Sequence, residues 1–165
     1  MNAQDILKPN QDQTLVKSTR VSRKRVEDLQ KYIATQPQID GMTTTHFFAG
    51  GMYCRHMFIP KDSLIVSKVH KTEHHFIGAA GRLHVWGQGN HYVLIPGDVV
   101  VSQVGTKRIV YAETDCIVMT VHKTDLTDVD AMEKELMEDD PTALYDAHNR
   151  PKDGVLTQIM QELEN

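Results

Sequence analysis

Residues 67–86 read SKVHKTEHHFIGAAGRLHVW, and the pattern of residue types in this stretch decides the fold class. Short apolar and β-branched runs are separated by turn residues such as Ala80-Gly81, and the same pattern extends from Thr43 to Lys123. The runs follow one another without the helical periods that would separate the strands of a parallel sheet, so the pattern is typical of antiparallel structure. We therefore predict a mainly β fold, a two-sheet jelly roll.

The predicted barrel covers residues 41–124 and contains nine runs with strand character. Glycine, proline and aspartate positions between the runs supply the turns, for example Pro60-Lys61-Asp62 and Pro96-Gly97. The predicted strands lie near residues 43–48, 52–59, 63–70, 74–79, 82–86, 91–95, 98–103, 107–112 and 116–122.

The segments on either side of the barrel have helical patterns. Residues 1–40 form a polar arm followed by a short amphipathic helix, for which Ser22 is the candidate N-cap. Residues 125–165 form an acidic helical tail, with Thr127 and Asp130 as a capping pair and a second helix over Val155–Leu163. The apolar stripe of that last helix must pack against another surface. Packing on the barrel of the same chain is favoured over binding to a partner protein.

Length and charge limit the class of protein. The chain has 165 residues, as for one domain, and a net charge of −4 that comes from the end: residues 122–165 carry four basic and twelve acidic side chains. This acidic end argues against a nucleic-acid partner. No apolar run approaches membrane-spanning length, no secretory signal is recognisable, and the two cysteines form no metal or disulfide motif. We expect a cytoplasmic protein.

Histidines are concentrated in one part of the barrel. Of the nine in the chain, seven fall between His46 and His91. Strand parity puts Lys68 and His70 on one face, His74 with Phe76 on the next strand, and Arg82, His84 and Trp86 on the one after. Several of these side chains can converge inside a small barrel, where two or three imidazoles and a carboxylate such as Glu73 could hold a divalent metal.

The order of these motifs resembles the cupin superfamily over residues 60–123. The cupin layout begins with a strand that carries a histidine, here His70, and has a second ligand position about five residues later, here His74 or His75. A glycine then closes the hairpin, and two turn motifs follow: Gly81, Pro96-Gly97-Asp98 and Gly105-Thr106-Lys107-Arg108. The sequence also looks like small cupin-like proteins of tailed bacteriophages. The resemblance implies a double-stranded β-helix of the cupin type with a short N-terminal helix and C-terminal helices. It implies no single function, because this superfamily contains enzymes, binding proteins and structural proteins.

Two of the four cupin metal-ligand positions carry cations in this chain, Lys68 and Arg108. A guanidinium does not ligate metal, and it is suited to a carboxylate or phosphate instead. We therefore predict a non-enzymatic receptor for a small anionic ligand, nucleotide-like or a sugar phosphate, without a metal cofactor. The predicted ligand-binding residues are Lys68, His70, Glu73, His74, His84, Trp86, Arg108 and Tyr111.

Two alternatives remain open at this stage. In the first, His122 shares parity with Val118 and Thr120 and completes a three-histidine site with His70 and His74, which makes the protein a metal-dependent cupin enzyme using Fe, Ni, Mn or Zn. In the second, the jelly roll is a structural unit of an accessory virion or assembly protein that contacts phage structural proteins, in the host cytoplasm or the virion. In every case open sheet edges and the amphipathic tail predict a homo-oligomer.

Overall fold

The computed structural model describes residues 23–87 and 90–164 of the chain. Within these ranges there are three helices and nine strands, as expected from the sequence. The helices are α1 (Arg23–Ala34), α2 (Val129–Leu136) and α3 (Asp153–Glu164). The strands are β1 (Thr43–Ala49), β2 (Met52–Ile59), β3 (Leu64–Val66), β4 (His74–Ala80), β5 (Leu83–Gly87), β6 (Asn90–Leu94), β7 (Val99–Ser102), β8 (Ile109–Ala112) and β9 (Cys116–Lys123).

The strands form two sheets in which neighbouring strands run antiparallel. One sheet has five strands in the order β1-β2-β9-β4-β7, and the other has four in the order β3-β8-β5-β6. This arrangement confirms the mainly β jelly roll predicted from the sequence. The β4–β5 hairpin turns at Gly81, where φ is +80° and a Cβ would lie 2.1 Å from the carbonyl oxygen of Asp115, so only glycine fits.

The two sheets enclose one apolar core between their inner faces. Side chains alternate along each strand, so every second residue of β9 is buried, as Val118 is, while its neighbours face outward. The residues that pack together here are Ile59, Phe76, Leu83, Val85, Leu94, Val110, Ala112, Cys116 and Val118.

The third strand is shorter than predicted. Residues 63–70 were expected to form a strand, but β3 ends at Val66 because the chain leaves β8 at that point. The Ser67 hydroxyl accepts the amide of Arg108, and His70 pairs instead with Met137, which follows α2. This departure brings His70 under the C-terminal segment.

Each described helix packs its apolar stripe against the rest of the chain. α2 covers Tyr53 with Met132 and Leu136, while α3 places Ile159 against Ile33 of α1. The cap of α2 is Asp128, which accepts the amide of Ala131, one residue later than the predicted Thr127. The predicted Ser22 cap of α1 lies outside the described residues. In residues 23–87 and 90–164, no helix is both long and apolar enough to cross a membrane.

Candidate functional site

Three histidines from different parts of the fold meet between the sheets. His70 comes from the irregular chain after β3, His74 begins β4 opposite Ser102, and His122 lies near the end of β9 opposite Tyr53. All three are buried, and one nitrogen from each lies within 4.8 Å of the others. Their rings stack, with centroids 4.0 Å apart for His70 and His74 and 4.4 Å for His74 and His122. The structure therefore assembles the three-histidine set that parity suggested.

These imidazoles are held in their neutral form. Burial lowers the pKa of His74 to about 4 and that of His122 to about 3, and the positive charge of Arg108 contributes to both shifts. Burial also lowers the pKa of His70 well below its usual value. His74, His122 and the arginines Arg108 and Arg55 lower this pKa by smaller amounts. Near neutral pH each ring therefore keeps a lone pair, which is the form that binds a metal.

Four of the six ring nitrogens of this cluster are buried without a protein hydrogen bond. Nδ1 of His74 lies 3.2 Å from the carbonyl oxygen of Thr72, so it donates there and leaves the lone pair on Nε2. Nε2 of His74, Nδ1 of His70 and both nitrogens of His122 are buried without a hydrogen bond. Unsatisfied buried polar atoms are costly, so this concentration of them indicates a bound group. A metal-binding imidazole is usually oriented by its other ring nitrogen, which donates a hydrogen bond to a group such as a backbone carbonyl.

Arg108 is buried close to the histidines. Its guanidinium lies 4.6 Å from the ring centre of Phe76 and bonds the Tyr92 hydroxyl, and its Nη2 has no partner. Among the described residues no carboxylate pairs with it: Glu73 accepts from Gln103. Glu113, the other carboxylate near in sequence, bonds Arg82 and His84. Arg108 faces the barrel interior, as predicted.

A second buried guanidinium, Arg55 on β2, was not predicted. One of its amino groups donates to Asn149 and to the carbonyl oxygen of Ala147, while Nε is buried without a partner. The sequence does contain a signal, because Arg55 has the same parity as the inward-facing Tyr53 and Ile59. Asn149 gives no such signal, since it follows the barrel by a long, irregular segment.

Arg55, His70 and Arg108 line one cavity of about 100 Å³, whereas His74 and His122 are not among its lining residues. Its lining also includes apolar side chains, among them Phe76, Leu83 and Val118. The chain between α2 and α3 closes one side of the cavity through Met137, Asp140, Ala143, Leu144, Tyr145 and Asn149.

Two other predicted ligand residues have partners or positions that change their part in the site. Lys68 lines the cavity, but its ammonium is paired with Glu133 of α2. Glu73 is exposed and bonds Gln103 outside the cavity. Neither side chain is available inside the barrel in the way that Arg108 is.

The remaining three predicted residues lie on the wrong face of the four-stranded sheet. His84, Trp86 and Tyr111 point outward, where His84 bonds Glu113 at 2.9 Å and His91 at 3.2 Å. The inward positions of β5 are Leu83 and Val85. Parity correctly grouped His84 with Trp86, but the expectation that they converge with His70 is corrected by this placement.

No protein-family model matches the sequence, and no curated protein is similar to it. Among solved structures, the chain is similar to the cupin-2 domain of an XRE family transcriptional regulator from Enterobacter cloacae, with 13% identity over 50% of this chain and 95% of that one and a TM-score of 0.44.

Two further structures give similar values. A cupin superfamily protein from Desulfitobacterium hafniense has 6% identity over 55% of this chain and 84% of its own, with a TM-score of 0.46. KdgF from a Halomonas species has 16% identity over 55% and 87%, with a TM-score of 0.47. None of the three is described as a bacteriophage protein.

Proposed function

We propose that the chain binds a small anionic ligand inside the jelly roll, next to a divalent metal held by His70, His74 and His122. The observation that carries this proposal is the set of three buried, neutral imidazoles whose unpartnered nitrogens lie within 4.8 Å of one another. Two buried guanidiniums beside them supply the positive charge for an anion.

The donor set fits a first-row metal such as Zn, Fe or Ni, because imidazole nitrogen suits these ions. The sequence argument against metal was that Lys68 and Arg108 occupy two of the expected ligand positions. His122, on β9 beside His74 of the paired strand β4, would supply the third imidazole instead. A metal bound there would act as a Lewis acid toward an oxygen of the ligand.

The anion half of the proposal follows from the charges. Arg55 and Arg108 are both buried, and within residues 23–87 and 90–164 neither forms an ion pair. A buried cation without a partner is destabilising, so a carboxylate or phosphate between the guanidiniums would relieve both.

The size of the cavity narrows the ligand class. Pockets that hold drug-sized ligands measure roughly 300–1,000 Å³, whereas this cavity measures about 100 Å³. We therefore propose a small carboxylate, or the phosphate-bearing end of a larger molecule, in place of the whole nucleotide or sugar phosphate expected from the sequence.

The test of this proposal is the metal content of protein purified without a histidine tag. We expect about one equivalent of a first-row metal per chain, and less than about a tenth of an equivalent in His70→Ala and His122→Ala, because two imidazoles hold such ions poorly. His91→Ala is the matched control, since His91 lies on the outer face beside His84 and should leave the metal content unchanged.

Titration of the same proteins with inorganic phosphate separates the two halves of the proposal. Phosphate binding by a protein that takes up no Fe, Ni, Mn or Zn would eliminate the metal and leave the metal-free anion receptor. Metal binding without any response to phosphate or to small carboxylates would eliminate the anion.

A metal-dependent enzyme is the second candidate, favoured by the ligand count. Three protein ligands leave at least one coordination position open, which is the arrangement of catalytic rather than structural metal sites. Turnover of a carboxylate or phosphate substrate by metal-loaded protein, abolished in His122→Ala, would establish it. A phage setting, and with it a virion or assembly role, rests on the sequence resemblance and is tested by co-purification with virus particles.

A further inference from the structure

The outer face of the five-stranded sheet has two largely apolar rows that run from one edge to the other. The strand registers place outward-facing residues side by side in rows that cross β1, β2, β9, β4 and β7. One such row consists of Phe47, Cys54, Val121, His75 and Val101.

The neighbouring row has the same character. Ile77 is paired with Val99 and with Met119, so the apolar surface continues across the three strands at this end of the sheet. Neither row contains a lysine, arginine, aspartate or glutamate. The second row consists of Thr45, His56, Met119, Ile77 and Val99.

We call these two rows the apolar face, and no described helix covers it. α2 packs on Tyr53 and α3 packs on α1, so both amphipathic stripes are already occupied. Valines and a phenylalanine are left in solvent: Val99 is 58% exposed, Val101 46% and Phe47 55%. Contiguous exposed apolar patches of several hundred Å² mark interaction sites.

We infer that the apolar face is the interface of a homodimer in which two copies pack sheet against sheet. The absence of charge makes it unsuited to nucleic acid or to a charged peptide, and what complements it is another apolar surface. A second copy always supplies one, and a two-fold axis through the sheet would lay the rows of one copy on those of the other. The inference does not depend on the metal or on the anion.

The available area is sufficient for such a dimer. Five strands about 4.8 Å apart and two rows with their flanking residues give about 24 by 20 Å, or about 500 Å² of sheet per copy. Two copies bury about 1,000 Å², which is the lower bound for a biological interface. The interface would lie on the back of the strands that carry His74 and His122, because inward and outward residues alternate on β4 and β9.

The test is the mass of the full chain in solution, measured by light scattering or sedimentation. We expect twice 18.7 kDa for the wild type and 18.7 kDa for Val101→Glu and Met119→Glu, since a carboxylate in this interface would be buried without a partner. Met119 lies on the central strand, so its variant tests the middle of the face. Val101 is well exposed in the single copy, so its variant should keep the wild-type circular dichroism spectrum.

Val104→Glu is the matched control, because Val104 is 62% exposed but lies in the loop after β7, outside the apolar face. It should remain dimeric. A wild type that stays monomeric up to about 100 µM would overturn the inference, as would an oligomer whose mass neither Val101→Glu nor Met119→Glu changes. In the monomeric case, association after removal of residues 1–22 would identify that segment as the cover.

Discussion

Lys107 and Arg108 are adjacent on one loop, but only the first has a carboxylate partner among the described residues. Arg108 is buried and no carboxylate of the described residues pairs with it, whereas the Nζ of Lys107 lies 2.9 Å from a carboxylate oxygen of Asp140. Removing the charge should therefore have different consequences at the two positions. Arg108→Met removes an unpaired buried charge, while Lys107→Met leaves a carboxylate without its partner.

We predict that Arg108→Met weakens binding of inorganic phosphate by about 2–4 kcal/mol while the unfolding free energy of the apo protein is unchanged or rises. Lys107→Met should instead lower the unfolding free energy by about 3 kcal/mol. Calorimetric titration and thermal melting of both variants measure the two effects. Phosphate affinity and melting of Arg108→Met that both equal those of the wild type would refute an interior role for Arg108.

The same ion pair predicts an acid-dependent term in stability. Burial alone would raise the pKa of Asp140, but hydrogen bonds from Thr142 and Lys107 hold this pKa below its ordinary value. Because the folded-state pKa is the lower one, the stabilisation is fully present above the unfolded pKa of about 3.9 and is lost as the pH falls through the folded value. Asp140→Asn should be less stable than the wild type at pH 7, and the difference should shrink below pH 4 in urea titrations.

Individual residues show where sequence reasoning succeeds. The set of His70, His74 and His122 was one of the two alternatives to the metal-free receptor, raised because parity fixes which residues share a side of a strand, and the structure groups the three. Which side faces inward is a separate question. For β5 the apolar residues Leu83 and Val85 occupy the inner side, so His84 and Trp86, which alternate with them, lie on the outer side.

At the scale of elements, the strands were more predictable than their ends. β2 and β9 lie close to the predicted runs 52–59 and 116–122, because long runs of β-branched and apolar residues are a strong local signal. β3 was overestimated, since the pairing of His70 with Met137 is a contact between distant parts of the chain. The cap of α2 at Asp128 was missed by one residue because either neighbouring side chain could serve.

The last helix gives a prediction at this scale. Ile159 is 4% exposed and packs with Ile33, Leu144 and Tyr145, so α3 belongs to the fold of the single copy. Ile159→Ala should lower the unfolding free energy by about 2–4 kcal/mol through lost burial and a new cavity. The mass in solution should stay that of the wild type. A change of mass with unchanged melting would instead place α3 in an interface.

For the whole molecule, assembly and stability are linked if the apolar face is an interface. Dimerisation stabilises only the folded state, so the melting temperature of the wild type should rise with protein concentration. Val101→Glu should melt at a temperature independent of concentration and below that of the wild type. Melting curves over a hundredfold range of concentration, with Val104→Glu as the control, make this measurement.

The middle strands of the apolar face show little polar alternation on their outward side. The outward residues of β2 and β9 are largely apolar, with His56 and Lys123 as the exceptions. In an antiparallel sheet with one solvated face, polar residues are expected at such positions. Their apolar character is what a second copy packed on this face would require.

β9 has residues of the candidate site on one side and residues of the apolar face on the other. A strand constrained in this way has few neutral positions, whereas the outward residues of β5, His84 and Trp86, are only half-buried. Random substitution should therefore be tolerated more often at these alternate positions of β5 than between Ile117 and His122 of β9. We expect β9 to vary less than β5 among related sequences.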